Sequence, residues 1–441
     1  MQSDCYLQRR QQLLAQLPAN SVVLIPAATE QTRSRDTEYP FRQNSDFWYY
    51  TGFNEPDALL ILSKDQQAQC EALLLCRDKD PLAEIWQGRR LGPAAAFTTL
   101  GLKAASISEQ HEQLTQAING KHAVYLNLGE HPALEQQLAC IMQGLRQREK
   151  RGDIAPLALQ DLRPFSSEQR LIKDDAELTM MRRAAQISSQ AHHRAMQFCH
   201  SGAFEYQLEA EILHEFAMQG ARYPAYNSIV GSGENGCILH YTENSSQLKA
   251  GDLVLIDAGC ELAGYAADIS RTFPVSGRFS PEQAALYELV LEAQLACIAA
   301  VKPGTTFAEL NTIAEQILTK GLLQLGILQG DLTELITNKA CKQYFMHGIG
   351  HWLGLDVHDV GAYKVATADR PFVPGMVLTI EPGLYIASGS STAEKWWGLA
   401  VRIEDNILVT NEGAENLTAG CVKTLGDIEQ LMKNNQAKAP C

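Results

Sequence analysis

Apolar residues recur at helical spacing over residues 5–17, where Leu7, Leu13, Leu14 and Leu17 share a face. They then crowd together from Ser21 to Ile25, which predicts a first strand. Two short apolar runs, A-L-L-I-L-S at 58–63 and E-A-L-L-L-C at 71–76, flank the polar stretch K-D-Q-Q-A-Q and predict a hairpin. A further strand is predicted at 123–128 and a helix near 132–147. The aromatic patch Phe47-Trp48-Tyr49-Tyr50 reads as core. Between 149 and 165 the chain turns polar and proline-punctuated, the best place for a boundary. The predicted division is a smaller mixed α/β domain over residues 1–172 and a second domain over 173–441.

The second part has a different rhythm. Helical patterns run from about Asp175 to Phe198 and from about Glu205 to Gln219. Pro281 opens another helix, and 307–325 continue helical. After each helix pair comes the same nine-residue phrase: G-D-L-V-L-I-D-A-G at 251–259 and G-M-V-L-T-I-E-P-G at 375–383. Both begin and end on Gly, run through apolar residues, and carry an acid in seventh place, Asp257 and Glu381. Each is followed by a second strand-like run with an acid, Asp268 in G-Y-A-A-D-I-S-R-T-F and Glu404 in G-L-A-V-R-I-E-D-N-I. The order helix, helix, hairpin, helix, helix, hairpin predicts an α+β domain built by pseudo-twofold duplication.

Composition narrows the class. Apolar residues make up 45% of the chain and charged ones 20%, the profile of a globular protein with ample core. The net charge of −14 leaves no basic surplus to neutralise phosphates, so neither nucleic acid nor an anionic membrane is an expected partner. Eleven cysteines lie scattered without C-x-x-C spacing. The N-terminus has no apolar signal region, and no run approaches the ~18 apolar residues of a membrane span. The expectation is a soluble, cytoplasmic protein.

A carboxylate in an apolar strand is costly to bury unless a cation compensates it. For any one of the four acids, pairing with Arg271 or Arg402 would be explanation enough; the repetition is what points to a divalent-metal site. Between the hairpins, M-H-G-I-G-H-W-L-G supplies His347 and His351, and His358 follows. Its glycines argue against a regular helix, so this is not an H-E-x-x-H zinc site. Four carboxylates and an imidazole form a hard donor set, suited to Mn²⁺ or a similar ion, and to two ions better than one. Two ions about 3.5 Å apart activate water for hydrolysis. His240, seventeen residues before Asp257, is close enough in chain to line the same cleft. The G-S-G-E-N-G at 231–236 reads as a turn, because no helix follows it.

These residues resemble the pita-bread metallopeptidase family, and within it the bacterial aminopeptidase P branch. The similarity is carried by Y-N-S-I-V-G-S-G-E-N-G-C-I-L-H-Y-T-E-N, L-V-L-I-D-A-G-C-E, G-Y-A-A-D-I-S-R-T-F-P-V, F-M-H-G-I-G-H-W-L-G-L-D-V-H-D-V-G, P-G-M-V-L-T-I-E-P-G-L-Y-I and V-R-I-E-D, with Y-P-F-R-Q-N-S-D-F-W-Y-Y-T-G-F-N-E-P near the N-terminus. The resemblance implies a pita-bread (creatinase/aminopeptidase) fold and two divalent ions, most simply Mn²⁺, held by Asp257, Asp268, His351, Glu381 and Glu404. It implies an exopeptidase that removes the first residue from peptides with proline second, through a hydroxide shared by the ions. Glu381 would accept a proton, and His240 and His358 would steady the oxyanion. His347 and Arg402 would stand behind them, and Tyr385 and Trp86 would contact substrate, Trp86 from a neighbouring subunit of a dimer or tetramer. Gly350, before His351, is commoner wording in prolidases, so a dipeptidase is the alternative. A metal-free peptide-binding relative is a third reading, disfavoured because all five ligand positions are filled.

Overall fold

The computed structural model describes residues 3–436, which divide into two compact units after Arg170. In the first unit, strand Ser21–Pro26 is central in a six-stranded sheet. It pairs antiparallel with Leu59–Lys64, which turns into Cys70–Cys76, and parallel with Ala123–Leu126. Lys103–Ser106 and Ala158–Asp161 complete the edges. Val22 and Leu24 face the cluster with Leu114, Ile118, Leu138 and Leu145. Val23 and Ile25 are equally buried on the other face. Cover on both faces explains why this strand is a continuous apolar run rather than an alternating one.

The aromatic patch lies on the helix Ser45–Thr51, started by the Asn44 side chain, with Phe47, Tyr49 and Tyr50 buried. The unit extends through the polar stretch because the helix Arg163–Leu171 still belongs to it. Arg170 binds Asp46 at 2.8 Å with both side chains buried, and Tyr50 donates to Gln169.

In the second unit, three of the four long helices begin with a reciprocal cap: Asp174 with Glu177, Ser280 with Gln283, and Thr306 with Glu309. These caps set the starts of Asp175–Phe198, Pro281–Ala300 and Phe307–Gln324. Pro281–Ala300 is the one helix among the described residues long and apolar enough to cross a membrane by length and composition, an exception to the sequence expectation. Its Leu286, Tyr287, Val290, Ala293 and Cys297 lie in the core of this unit.

Strand Leu253–Asp257 pairs with Ser270–Pro274, and Val377–Ile380 pairs with Asp405–Val409. Register shows how the halves correspond. Ile256 and Ile380 share the sixth place of the phrase, and they face Arg271 and Asp405 respectively. Equivalence therefore continues as Ser270 with Glu404 and Asp268 with Arg402. The doubled motif is thus less symmetric than the sequence implied. The first acids, Asp257 and Glu381, are equivalent, but the second acids, Asp268 and Glu404, are not. Cross-contacts obey the same twofold relation: Thr272 bonds Arg402, and its equivalent Asn406 bonds Asp268.

Candidate metal centre

All four acids stand where a strand begins or ends. Asp257 closes its strand, Glu381 follows Ile380, Glu404 precedes Asp405, and Asp268 sits two residues before Ser270. Asp257 and Asp268 are separated by a small excursion, Cys260–Leu262 and Tyr265–Ala266, paired to Tyr223–Pro224 rather than by a plain hairpin turn. A Cβ on Gly259 would lie 1.7 Å from the Ala267 oxygen, so only glycine lets the excursion return this closely.

His351 comes from a segment laid against strand Val377–Ile380. Its backbone N–H donates to Thr379 Oγ1 at 3.0 Å, and its carbonyl accepts from the Thr379 N–H at 2.9 Å. A Cβ on Gly350 would lie 1.9 Å from the Thr379 oxygen. That glycine is therefore a packing requirement. His351 Nδ1 lies 2.9 Å from the Trp352 carbonyl, which can only accept, so Nδ1 carries the proton. Nε2 is left facing Asp268 at 3.4 Å and Glu381 at 3.5 Å. Ligand atoms of Asp268, His351 and Glu404 lie within 4.8 Å of one another.

Tyr226 completes the floor. Its hydroxyl lies 2.6 Å from Asp257 Oδ1 and 2.5 Å from Asp268 Oδ1, so the two carboxylates share one donor. One hydroxyl proton cannot serve both. The motif around it was noticed in sequence, but nothing marked Tyr226 itself, because an isolated tyrosine carries no spacing signal.

The electrostatics favour a cation. Burial and the neighbouring Asp257 push the Asp268 carboxyl up. Burial, with Asp268 and Asp257 adding to it, raises Glu381 to about 7 against the pull of His351 and Arg402. Burial and the same acids push Glu404 up as well. Burial disfavours the His351 imidazolium, but Asp268 and Glu381 outweigh it and raise its pKa to about 9. Carboxylates crowded so that each destabilises the others' charge, with one imidazole beside them, fit a hard divalent ion.

Behind this floor runs an ordered chain of donors. Arg402, buried, donates to Asp257 Oδ2 at 2.7 Å, to Ser270 Oγ at 2.8 Å and to the Tyr385 hydroxyl at 2.9 Å. Ser270 passes its own proton to Glu404 at 2.8 Å. Tyr385 lies 2.8 Å from His347 Nε2, whose Nδ1 faces the Gly348 carbonyl at 2.8 Å. The tautomer follows: Nδ1 donates, Nε2 accepts from Tyr385, and His347 is neutral. Burial and Arg402 lower its pKa to about 4.

A cavity of about 580 Å³ opens above, walled by His240, His347, His358 and Tyr363, with Asp257, Asp268, His351, Glu381, Arg402 and Glu404 at its base. The His358 ring lies 4.2 Å from that of His351. Nine of the eleven predicted site residues thus line one cavity. Tyr385, expected to touch substrate, is buried among Ile229, Tyr241, Leu255 and Ala400 and is not among the cavity's lining residues; its ring meets that of His347 edge-on, and its hydroxyl bonds His347 and Arg402. Trp86 lies in the first unit on the helix Pro81–Gln87, 88% exposed.

A cleft floored by carboxylates and a fixed imidazole is the site of a metal-dependent hydrolase. A family model for metallopeptidase family M24 matches residues 179–411, and one for the aminopeptidase P N-terminal domain matches residues 6–125. The chain is 50% identical over 428 residues to an Escherichia coli K12 Xaa-Pro aminopeptidase, with 97% of each covered. It is 36% identical over 402 residues to human Xaa-Pro aminopeptidase 3, covering 90% of this chain and 78% of that protein. Proline aminopeptidase P II from Yersinia pestis superposes with a TM-score of 0.96 at 50% identity, covering 99% of this chain and all of that one. Zinc-substituted E. coli aminopeptidase P, in complex with product, superposes at 0.97 with 49% identity and 99% of each chain. The chain belongs to metallopeptidase family M24, in its aminopeptidase P branch.

Proposed function

We propose that this chain is an Xaa-Pro aminopeptidase, removing the N-terminal residue from peptides whose second residue is proline. The observation that carries it is the convergence of Asp257, Asp268, His351, Glu381 and Glu404 at the base of one cavity, in a chain half identical to proteins of that name. We assign those five side chains as holders of two divalent ions, most simply Mn²⁺. Bound there, the ions would lower the pKa of a water and polarise the carbonyl before proline.

The chain's own groups do the rest. Glu381, at the base of the cavity, accepts the proton of the attacking water and can return it to the leaving imide nitrogen. His240 and His358, on the cavity wall, donate to the developing oxyanion. Neutral His347 and Arg402, tied through Tyr385, hold Asp257 and Glu404 in place. We further propose that Trp86 reaches the site of a neighbouring subunit in a dimer or tetramer, that residues 1–172 serve assembly and substrate access, and that the enzyme works in the cytoplasm.

The test is a peptide-length series after chelation, with and without added Mn²⁺. Cleavage of Xaa-Pro-Xaa peptides restored by metal is the expected result. Turnover of Xaa-Pro dipeptides alone would make the chain a prolidase, and turnover unaffected by metal stripping would overturn the reading.

A further inference from the structure

Glu205 opens the helix Glu205–Met218 and is wholly buried. One of its carboxylate oxygens accepts from the Ser232 N–H and hydroxyl, both at 2.7 Å, and from Asn235 Nδ2 at 3.0 Å. The other accepts from the Tyr241 hydroxyl at 2.9 Å and the Ser246 N–H at 2.8 Å. All five donors lie on one short segment, 232–246, and none is cationic. After the turn at Gly233–Cys237 the stretch 238–245 has no regular structure; backbone pairing resumes only at Ser246, whose carbonyl accepts from the Glu205 N–H at 3.0 Å, and at the Phe204–Gln247 bridge. The stretch nevertheless carries Leu239, His240 and Thr242 to the cavity wall, on either side of the buried Tyr241.

A buried carboxylate is tolerated only while its lone pairs are filled, and leaving it short of donors costs several kcal/mol. Any path of 232–246 that moved Tyr241 or Ser246 away would strand the charge. The Glu205 side chain therefore holds the middle of the loop, at Tyr241, between the turn and the paired end at Ser246. Asn244 adds a second tie from the same helix, donating to Glu209 at 3.0 Å while accepting from the Val230 N–H.

We propose that Glu205 is the positioning residue for His240, acting through Tyr241 and Ser246 and never touching substrate. This rests on the reading of His240 as a donor to the reacting carbonyl. Glu205→Gln keeps the shape but places an NH₂ against donors. It should speed amide hydrogen exchange across 232–246 by about tenfold or more, while strands 253–257 and 377–380 and the bound metal content stay unchanged. It should lower kcat/KM about tenfold, where His240→Ala lowers it about 100-fold or more.

In the double variant the two losses should not multiply; activity should stay within about threefold of His240→Ala alone. A product of the two losses would overturn the proposal, as would unchanged exchange in 232–246. Were His240→Ala silent in activity, the reading of His240 would fail by itself, and exchange would still decide the anchoring. Should Glu205→Gln fail to fold, Tyr241→Phe removes one hydroxyl, which donates to Glu205 and accepts from Asn235. Its loss of about threefold should vanish in the His240→Ala background, and persistence there would overturn the proposal.

Discussion

Arg271 and Asp405 occupy equivalent places in the two halves of the catalytic unit and bind each other at 2.8 Å with both side chains fully buried. Arg271 also donates to the Glu404 carbonyl at 2.6 Å and the Ser270 carbonyl at 2.9 Å. Burial alone would push the Asp405 carboxyl up, but Arg271 and Lys423 hold it well below the usual range. Arg271→Met removes the buried guanidinium and leaves Lys423 as the one remaining cation on Asp405, and it should cost about 3 kcal/mol in denaturant unfolding. Arg271→Met with Asp405→Leu should recover much of it. A single variant as stable as the parent would show that the pair does not join the halves.

The metal site gives a second expectation. Glu404→Ala removes an oxygen donor and should leave the fold intact. Its activity loss should exceed the roughly 10–100-fold typical of outer partners of a metal ligand. Metal analysis of the purified variant should show lowered occupancy. Full occupancy with full activity would remove Glu404 from the donor set.

The Tyr385 hydroxyl bonds both His347 and Arg402. Tyr385→Phe should lower kcat about tenfold with little change in KM, because geometry rather than substrate contact is lost. A rise in KM alone, measured on a tripeptide substrate, would restore the contact role.

Lys173 and Asp359 form a second buried pair at 2.9 Å, each side chain 1% exposed. Asp359 follows His358, and its N–H donates to the Trp352 carbonyl at 2.9 Å, tying the His358 end of the segment back to the His351 end. Lys173→Met should cost about 3–5 kcal/mol and reduce kcat through His358. Activity unchanged in a destabilised protein would separate this pair from the site.

His192 lies buried on the long helix, its Nε2 donating to the Ala258 carbonyl at 2.9 Å. Burial lowers its pKa to about 4. Between pH 6.5 and 4 the unfolded chain binds a proton that the folded chain refuses, so stability falls as pH falls through that window. The loss from pH 7.5 to 5 should be about 2 kcal/mol. His192→Gln, which keeps a donor, should lose that increment. Parallel pH profiles for the two proteins would contradict it.

Local order was legible early. Period-2 and period-3.6 patterns, caps and prolines gave the helices 132–147, 175–198 and 307–324 nearly to the residue, and the start of 281–300, since each signal is contained within a few turns of chain. The phrase repeated at 251 and 375 showed duplication, and it singled out Asp257 and Glu381 correctly as equivalents. It misled on the second pair. Spacing along the chain cannot reveal that Asp268 matches Arg402 and Ser270 matches Glu404, because strand register is fixed by pairing across space.

The amino-acid order by itself determined the elements, the doubling and the chemical types available to the site, because those depend on neighbours a few residues apart. Only tertiary structure decided which oxygens converge, that Tyr226 is shared by Asp257 and Asp268, that Tyr385 lies behind the wall, and that one buried Glu205 governs a loop. Those are contacts between residues tens to more than a hundred positions apart, some within one half and some across the two, and no local pattern encodes them.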